Sequence, residues 1–527
     1  MSPASTVGNR TPLPSRVEVA VFAAGVASMG LEILAGRLLA PDFGSSIFVW
    51  GSVIGVFLAA LTAGYWLAGR RASSHASLGA LALALVTAAG YVAVVVVAAE
   101  PLLDVFAGLG LPARFAPLLP VTVLFGPPTV LLGFVSPYAA ELVEATGRGD
   151  ASGQVYALGT AGSIVGAFGT TFLLLPELGV LGSELVFGVV LIGAAALVAP
   201  GSAVAAWAGV PAVSLAFLVA FGAAAGVSAG PEVVHTEQTA YQELRIVDDG
   251  DVRTMYLDGG PQSAMDLGDP DRYVFEYSAY VHLPFLFADG GTADIDRVLF
   301  VGGGGFSSPK RFVSEYDVTV DVVELDPRVV DNAKRYFGVE ESPDLRIHTA
   351  DGRVFLQETE HTYDLIVLDA YRSTRVPYHL TTVEFMELAR SKLDEDGVLF
   401  ANLISSTEGA DSVFYRAEYR TMDRVFPTVY SFPTARTDAL QNIELVATTA
   451  EDRVSRATLR TRNAQRDIGI DLSGPIARYT AEVAVGDAPL LRDGAAPVDR
   501  LLANQVATEY VIERTANTTA TAAPTAG

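Results

Sequence analysis

Apolar runs about as long as a bilayer is thick fill the first 230 positions of this chain. We read seven of them, at roughly 17–38, 48–69, 77–99, 116–138, 153–176, 182–200 and 204–228. Each approaches the ~20 residues that carry a helix across the hydrocarbon core. A backbone in lipid finds no water, so it must satisfy its own N–H and C=O groups, and a helix does this within one segment. Residues 16–229 are therefore expected to form an α-helical transmembrane bundle of about seven spans, with the lipid bilayer as partner. A polar, disordered N-terminus at 1–15 precedes it. Gly162 and Gly166 have the spacing that lets two membrane helices touch closely. Pro127 and Pro128 are expected to break the fourth span, because proline removes a backbone donor.

After residue 230 the composition changes. Most of the Asp and Glu lie there, and the formal net charge of the chain is −24. That charge repels phosphates and argues against nucleic acid as a partner. The only lysines are Lys310, Lys334 and Lys392, and an acidic, lysine-poor surface suits a halophile, hydrated in high salt. There is no cysteine, which excludes disulfides, thiolate metal sites and thiol nucleophiles. No His or acid cluster has metal-ligand spacing, so no metal is expected.

A linker is expected at 229–236. Residues 237–290 read as a small β unit of two or three strands with a following helix; its turns are at Asp249-Gly250 and Gly259-Gly260, and the helix carries His282. Residues 291–450 alternate strand and helix, the pattern of a Rossmann-like, methyltransferase-type α/β domain. Residues 451–514 form a mixed, mainly helical extension, and the low-complexity tail 515–527 is expected to be disordered.

The α/β domain is organised by the stretch from Arg297 to Asp369. An apolar strand, Val298 to Val301, runs into four glycines, Gly302 to Gly305, and then into a helix. A strand, a turn without side chains and a helix start together make a cradle for a nucleotide-like ligand. The next strand ends near Glu324, about twenty residues on, where an acid can accept both ribose hydroxyls. A third strand delivers Asp351-Gly352 and a fourth delivers Asp369. Four strand ends thus put polar groups on one rim, which points to a nucleoside site built from Gly302, Gly303, Gly304, Glu324, Asp351 and Gly352.

Several motifs in the soluble half carry a family resemblance: AYQ ending at Gln242, LDGGPQ with Asp258 and Gln262, HLP at His282, the glycine turn, VVELDP, ADGRVF and YDLIVLD. Together, over about 237–450, they resemble the spermidine synthase (polyamine aminopropyltransferase) family. GLEILAGRLLAPDFGSS, VWGSVIGV and APVDRL are similar to segments of its membrane-fused members. The resemblance implies a transferase with no permanently bound cofactor. Its co-substrate would be decarboxylated S-adenosylmethionine, and its acceptor a polyamine such as putrescine. It also implies that Gln242, Glu324, Asp351 and Gly302 to Gly304 hold the nucleoside, that Gln262 positions it, and that Asp369 is the catalytic base.

Three positions depart from that pattern. Arg372 stands where a second acid is expected, Gly305 stands where an acid follows the glycines, and a helix acid is replaced unless Glu276 serves. The acceptor is then either something other than putrescine or a group with negative charge matched to Arg372 and Arg375. Two other readings use the same residues: a methyltransferase that takes S-adenosylmethionine itself, or a membrane transporter or scaffold whose soluble half senses an adenosyl ligand. The arginines at 10, 16, 70, 71 and 148 put the N-terminus in the cytoplasm by the positive-inside rule. Seven spans would then export the second half, away from any adenosyl donor. We therefore expect a multi-pass membrane protein with a cytoplasmic C-terminal domain; either one segment is miscounted, the 101–138 region holding a re-entrant piece, or the weak charge bias misleads. A homo-oligomer is compatible with the sequence.

Overall fold

The structure is a computed structural model that describes residues 15–44, 46–109, 111–112, 114–143, 148–200, 231–371, 376–435, 439–480, 482–503, 505 and 510–515. The chain divides into two compact units, one helical and within the first 227 residues, the other α/β and made chiefly from the residues after them.

The helical unit contains α1 (Arg16–Phe43), α2 (Ile47–His75), α3 (Leu78–Ala107), α4 (Leu118–Gly133), α5 (Val135–Leu142), α6 (Arg148–Gly169) and α7 (Leu175–Val198), with one π-helical turn at Thr170–Leu174. Among the described residues, five helices are long and apolar enough to cross a membrane. The expected count of seven is not reproduced. The fifth and sixth predicted segments fall in one 50-residue helical stretch, Gly149–Val198, in which only Gly179 leaves helical geometry (φ 65°, ψ −170°). The seventh predicted segment lies outside the described residues.

Glycines set the helix contacts as the sequence predicts. A Cβ on Gly162 would lie 2.2 Å from the Phe22 carbonyl oxygen, and one on Gly166 would lie 2.3 Å from that of Val26, so α6 lies directly against the backbone of α1. The predicted break at Pro127-Pro128 is absent, because α4 runs through both prolines. Pro127 cannot donate to the carbonyl four residues earlier, that of Val123. The Tyr91 hydroxyl of α3 donates to that oxygen instead, at 2.6 Å. A neighbouring helix thus replaces the lost donor.

The α/β unit starts earlier than expected. Strand β1 occupies Glu232–Gln238, most of the predicted linker. It pairs in an antiparallel meander with β2 (Glu243–Asp249), β3 (Val252–Leu257) and β4 (Gly260–Asp266), so the small unit has four strands where two or three were expected. The following helix is a 3₁₀ helix at Glu276–Leu286. Its His282 is buried, with one ring nitrogen 2.9 Å from the Tyr273 hydroxyl and the other 2.7 Å from that of Tyr316. That histidine is structural.

The main sheet has seven strands, ordered β10-β11-β9-β8-β5-β6-β7. Its parallel part comprises β5 (Arg297–Val301), β6 (Thr319–Glu324), β7 (Leu345–Thr349), β8 (Tyr363–Leu368) and β9 (Leu393–Ser405). β11 (Gln441–Thr448) runs antiparallel to β9, and β10 (Thr428–Pro433) antiparallel to β11. Side chains alternate between the faces of β5: Val298 and Phe300 join one buried cluster, Leu299 and Val301 the other. Two covered faces explain why this strand reads as an uninterrupted apolar run. Three helices follow strand ends on the site rim: α8 (Ser307–Glu315), α9 (Pro327–Tyr336) and α10 (Gly352–Glu358). Thr515, placed in the predicted tail, is ordered and donates its N–H to the Val274 carbonyl at 3.0 Å; the rest of the tail lies outside the described residues.

Candidate functional site

The glycine turn is shaped by steric exclusion. Gly302 has φ +101°, and a Cβ there would lie 2.3 Å from the Asp369 carbonyl oxygen. Glycine is required by both the backbone angle and the approach of the neighbouring strand end. Gly305, where an acid was expected, has no room for one: a Cβ would lie 2.7 Å from that of Ser263.

Three of the turn's N–H groups are engaged within the protein. Gly302 N–H donates to the Val323 carbonyl (2.9 Å), Gly303 N–H to Glu324 Oε2 (3.0 Å) and Gly305 N–H to Ser263 Oγ (2.9 Å). A turn whose donors are already engaged does not suit a pyrophosphate. Glu324 also accepts from Asp326 N–H at Oε1 (3.0 Å). Each carboxylate oxygen has more than one lone pair, so both keep capacity for a sugar hydroxyl.

Asp351 caps α10: its Oδ1 accepts from the N–H groups of Arg353 (2.9 Å) and Val354 (3.1 Å), while Oδ2 lies 2.9 Å from His379 Nε2. Thr239 Oγ1 accepts from the N–H groups of Tyr241 and Gln242, both at 3.0 Å, which fixes Gln242 on the site wall.

Asp369 follows β8 and is held by a polar chain that local sequence does not reveal. Asn402 Nδ2 donates to Asp369 Oδ1 (2.8 Å), Asn442 Nδ2 donates to Asn402 Oδ1 (2.7 Å), and the Tyr510 hydroxyl donates to Asn442 Oδ1 (2.6 Å). Asp369 is open to the cavity but otherwise enclosed by protein. That enclosure pushes its carboxyl above the ordinary range, and the Asn402 bond pulls it partly back.

These residues line one cavity of about 440 Å³, together with Gln262, Gly304 and Gly352. Of the sequence-predicted residues only Gly303 is absent from its wall; it faces a smaller adjoining chamber. Sequence reasoning missed Asn402, Asn442 and Tyr510; His379 and Tyr371 also line the cavity. Tyr277 lines it too, whereas Glu276, proposed as a substitute acid, is absent from the wall and interacts with Glu513. Arg372 and Arg375 lie outside the described residues.

The electrostatics are one-sided. Glu324, Asp326, Asp351, Asp369 and Asp499 contribute five carboxyl groups to the wall, with no Lys or Arg among the described lining residues. Five tyrosines, Tyr241, Tyr277, Tyr371, Tyr378 and Tyr510, supply aromatic surface. Acids and aromatic faces favour a cationic ligand.

Comparison with known proteins places the α/β unit in a family. Residues 275–446 match the spermine/spermidine synthase domain. A polyamine aminopropyltransferase of Vibrio vulnificus is 31% identical over 209 residues, which is 38% of this chain and 67% of the relative. Another, of Desulforudis audaxviator, is 27% identical over 208 residues, 38% of this chain and 71% of that protein. Among solved structures, a probable spermidine synthase from Corynebacterium glutamicum aligns at TM-score 0.43 and 23% identity, over 51% of this chain and 99% of that one. Sequence likeness on that scale, across two thirds of a relative, makes this chain a transferase of the spermidine synthase (polyamine aminopropyltransferase) family.

Proposed function

We propose that this chain is a membrane-anchored aminopropyltransferase that moves the aminopropyl group of decarboxylated S-adenosylmethionine to a polyamine acceptor. The observation that carries the reading is the cavity wall, five carboxyl groups with no described Lys or Arg. The donor is a cationic sulfonium that bears an amine and no carboxylate. Ordinary S-adenosylmethionine would bring a carboxylate into an acidic cavity, which disfavours the methyltransferase reading.

Glu324 receives the ribose hydroxyls, and Gln242, Gln262, Asp351 and the glycine turn enclose the nucleoside. The acceptor arrives as an ammonium, since amines of this type titrate near 10. It becomes a nucleophile when Asp369 takes a proton from it. The nitrogen lone pair then forms a bond to the aminopropyl carbon, the carbon–sulfur bond breaks, and its electron pair stays on sulfur as methylthioadenosine leaves. Holding the two cations together in line is the main contribution of the protein. The α/β unit works on the cytoplasmic side, where adenosyl donors are made.

Sealed right-side-out vesicles bearing the protein test both parts. Decarboxylated S-adenosylmethionine and putrescine added outside are expected to give methylthioadenosine only after detergent opens the vesicles. Release before opening contradicts the cytoplasmic placement, and none after opening, across a panel of polyamines, contradicts the activity.

A further inference from the structure

Behind Asp369 lies a second chamber of about 40 Å³, which shares Gln262, Tyr277, Asp369 and Asn402 with the main cavity. Its wall includes Glu444, from β11. Glu444 is fully buried, and neither carboxyl oxygen has a hydrogen-bond partner among the described residues. Two nearby donors are engaged elsewhere: Asn402, its register partner on β9, gives its amide to Asp369, and the Tyr277 hydroxyl donates to the Gln262 carbonyl at 3.2 Å. A buried carboxyl without partners is costly and rare in native structures. A bound cation is one of the few things that would complete such a group.

We propose that Glu444 is the second acid of the acceptor site, receiving a primary ammonium of a diamine in the chamber it shares with Asp369. The inference rests on the aminopropyl-transfer reading and assigns the acidic partner that the chain lacks after β8, where Arg372 stands. The chamber suits a group of this size, since one water needs ~10–15 Å³ of such volume. The two acids divide the work. Asp369, oriented by Asn402, accepts the proton; Glu444, with both oxygens bare, supplies countercharge and hydrogen-bond acceptors. Burial and the negative charge of Asp369 push Glu444 well above the ordinary carboxylate range, and an entering cation favours its charged form. Tyr277, Tyr280 and Tyr510 are the other titratable groups that sense its charge.

The test is calorimetry of putrescine binding to the full-length protein with methylthioadenosine present. Glu444→Gln is expected to weaken putrescine by about 10- to 100-fold, the loss of a charge-assisted contact, while methylthioadenosine binds as in the wild type. Glu444→Asp is expected to recover part of the affinity, and in turnover Glu444→Gln raises the diamine KM more than it lowers kcat. Equal putrescine affinity in wild type and Glu444→Gln overturns the proposal. Loss of methylthioadenosine binding in the variant also overturns it, by making Glu444 structural. A wild type that binds putrescine through Glu444 yet releases no methylthioadenosine from the decarboxylated donor refutes aminopropyl transfer and leaves the ammonium site standing.

Discussion

Asp369→Asn is expected to cut aminopropyl transfer by roughly 10²- to 10⁴-fold, the usual range for losing a positioned general base. The amide still accepts from Asn402 at its oxygen, so the polar chain from Tyr510 through Asn442 and Asn402 keeps its geometry. Methylthioadenosine should therefore bind the variant as it binds the wild type. The wild-type pH profile carries a second sign of the same role. Enclosure raises the Asp369 pKa, and the base acts only as a carboxylate. Activity should thus fall as pH drops through a value above the ordinary carboxylate range, and rise as pH climbs through it. Turnover unchanged in Asp369→Asn, measured as methylthioadenosine release, would remove Asp369 from the base role.

Gly302→Ala is expected to be nearly as damaging by a different route. A side chain at φ +101° costs on the order of 1–3 kcal/mol in backbone strain alone. The added Cβ would also sit 2.3 Å from the Asp369 carbonyl oxygen, so the ends of β5 and β8 must separate. That movement displaces both the nucleoside wall and the base, and a shift of about 1 Å in a reacting group costs roughly 100-fold in rate. Both methylthioadenosine affinity and turnover should fall together, with a lower melting temperature. Retention of nucleoside affinity in Gly302→Ala would show that the turn does not shape the cavity.

The contrast between these two substitutions reflects what sequence can show. Gly302, Glu324, Asp351 and Asp369 are legible because each closes or follows a short strand, and parallel topology brings such ends to one rim. Glu444, Asn402, Asn442 and Tyr510 carry no such signal. They reach Asp369 only because β9 and β11 lie side by side, and in sequence Glu444 is one polar residue within the run QNIELVAT.

The saturated N–H groups of the glycine turn were hidden for the same reason. Their acceptors include Glu324 and Ser263, 21 and 42 residues away. The intact α4 depends on Tyr91 from another helix, 32 residues before Val123. Strand β1 is hidden too: EVVHTEQ has no apolar–polar alternation, and the segment becomes a strand by pairing with β2.

The acidic cavity makes one demand that chemistry can measure directly: it must prefer an adenosyl sulfonium without a carboxylate. Calorimetric titration of the full-length protein with decarboxylated S-adenosylmethionine and with S-adenosylmethionine, under identical buffer and salt, compares the two. The decarboxylated donor is expected to bind at least about tenfold more tightly, a difference near 1.4 kcal/mol. Equal affinity, or a preference for the carboxylated form, would contradict the account.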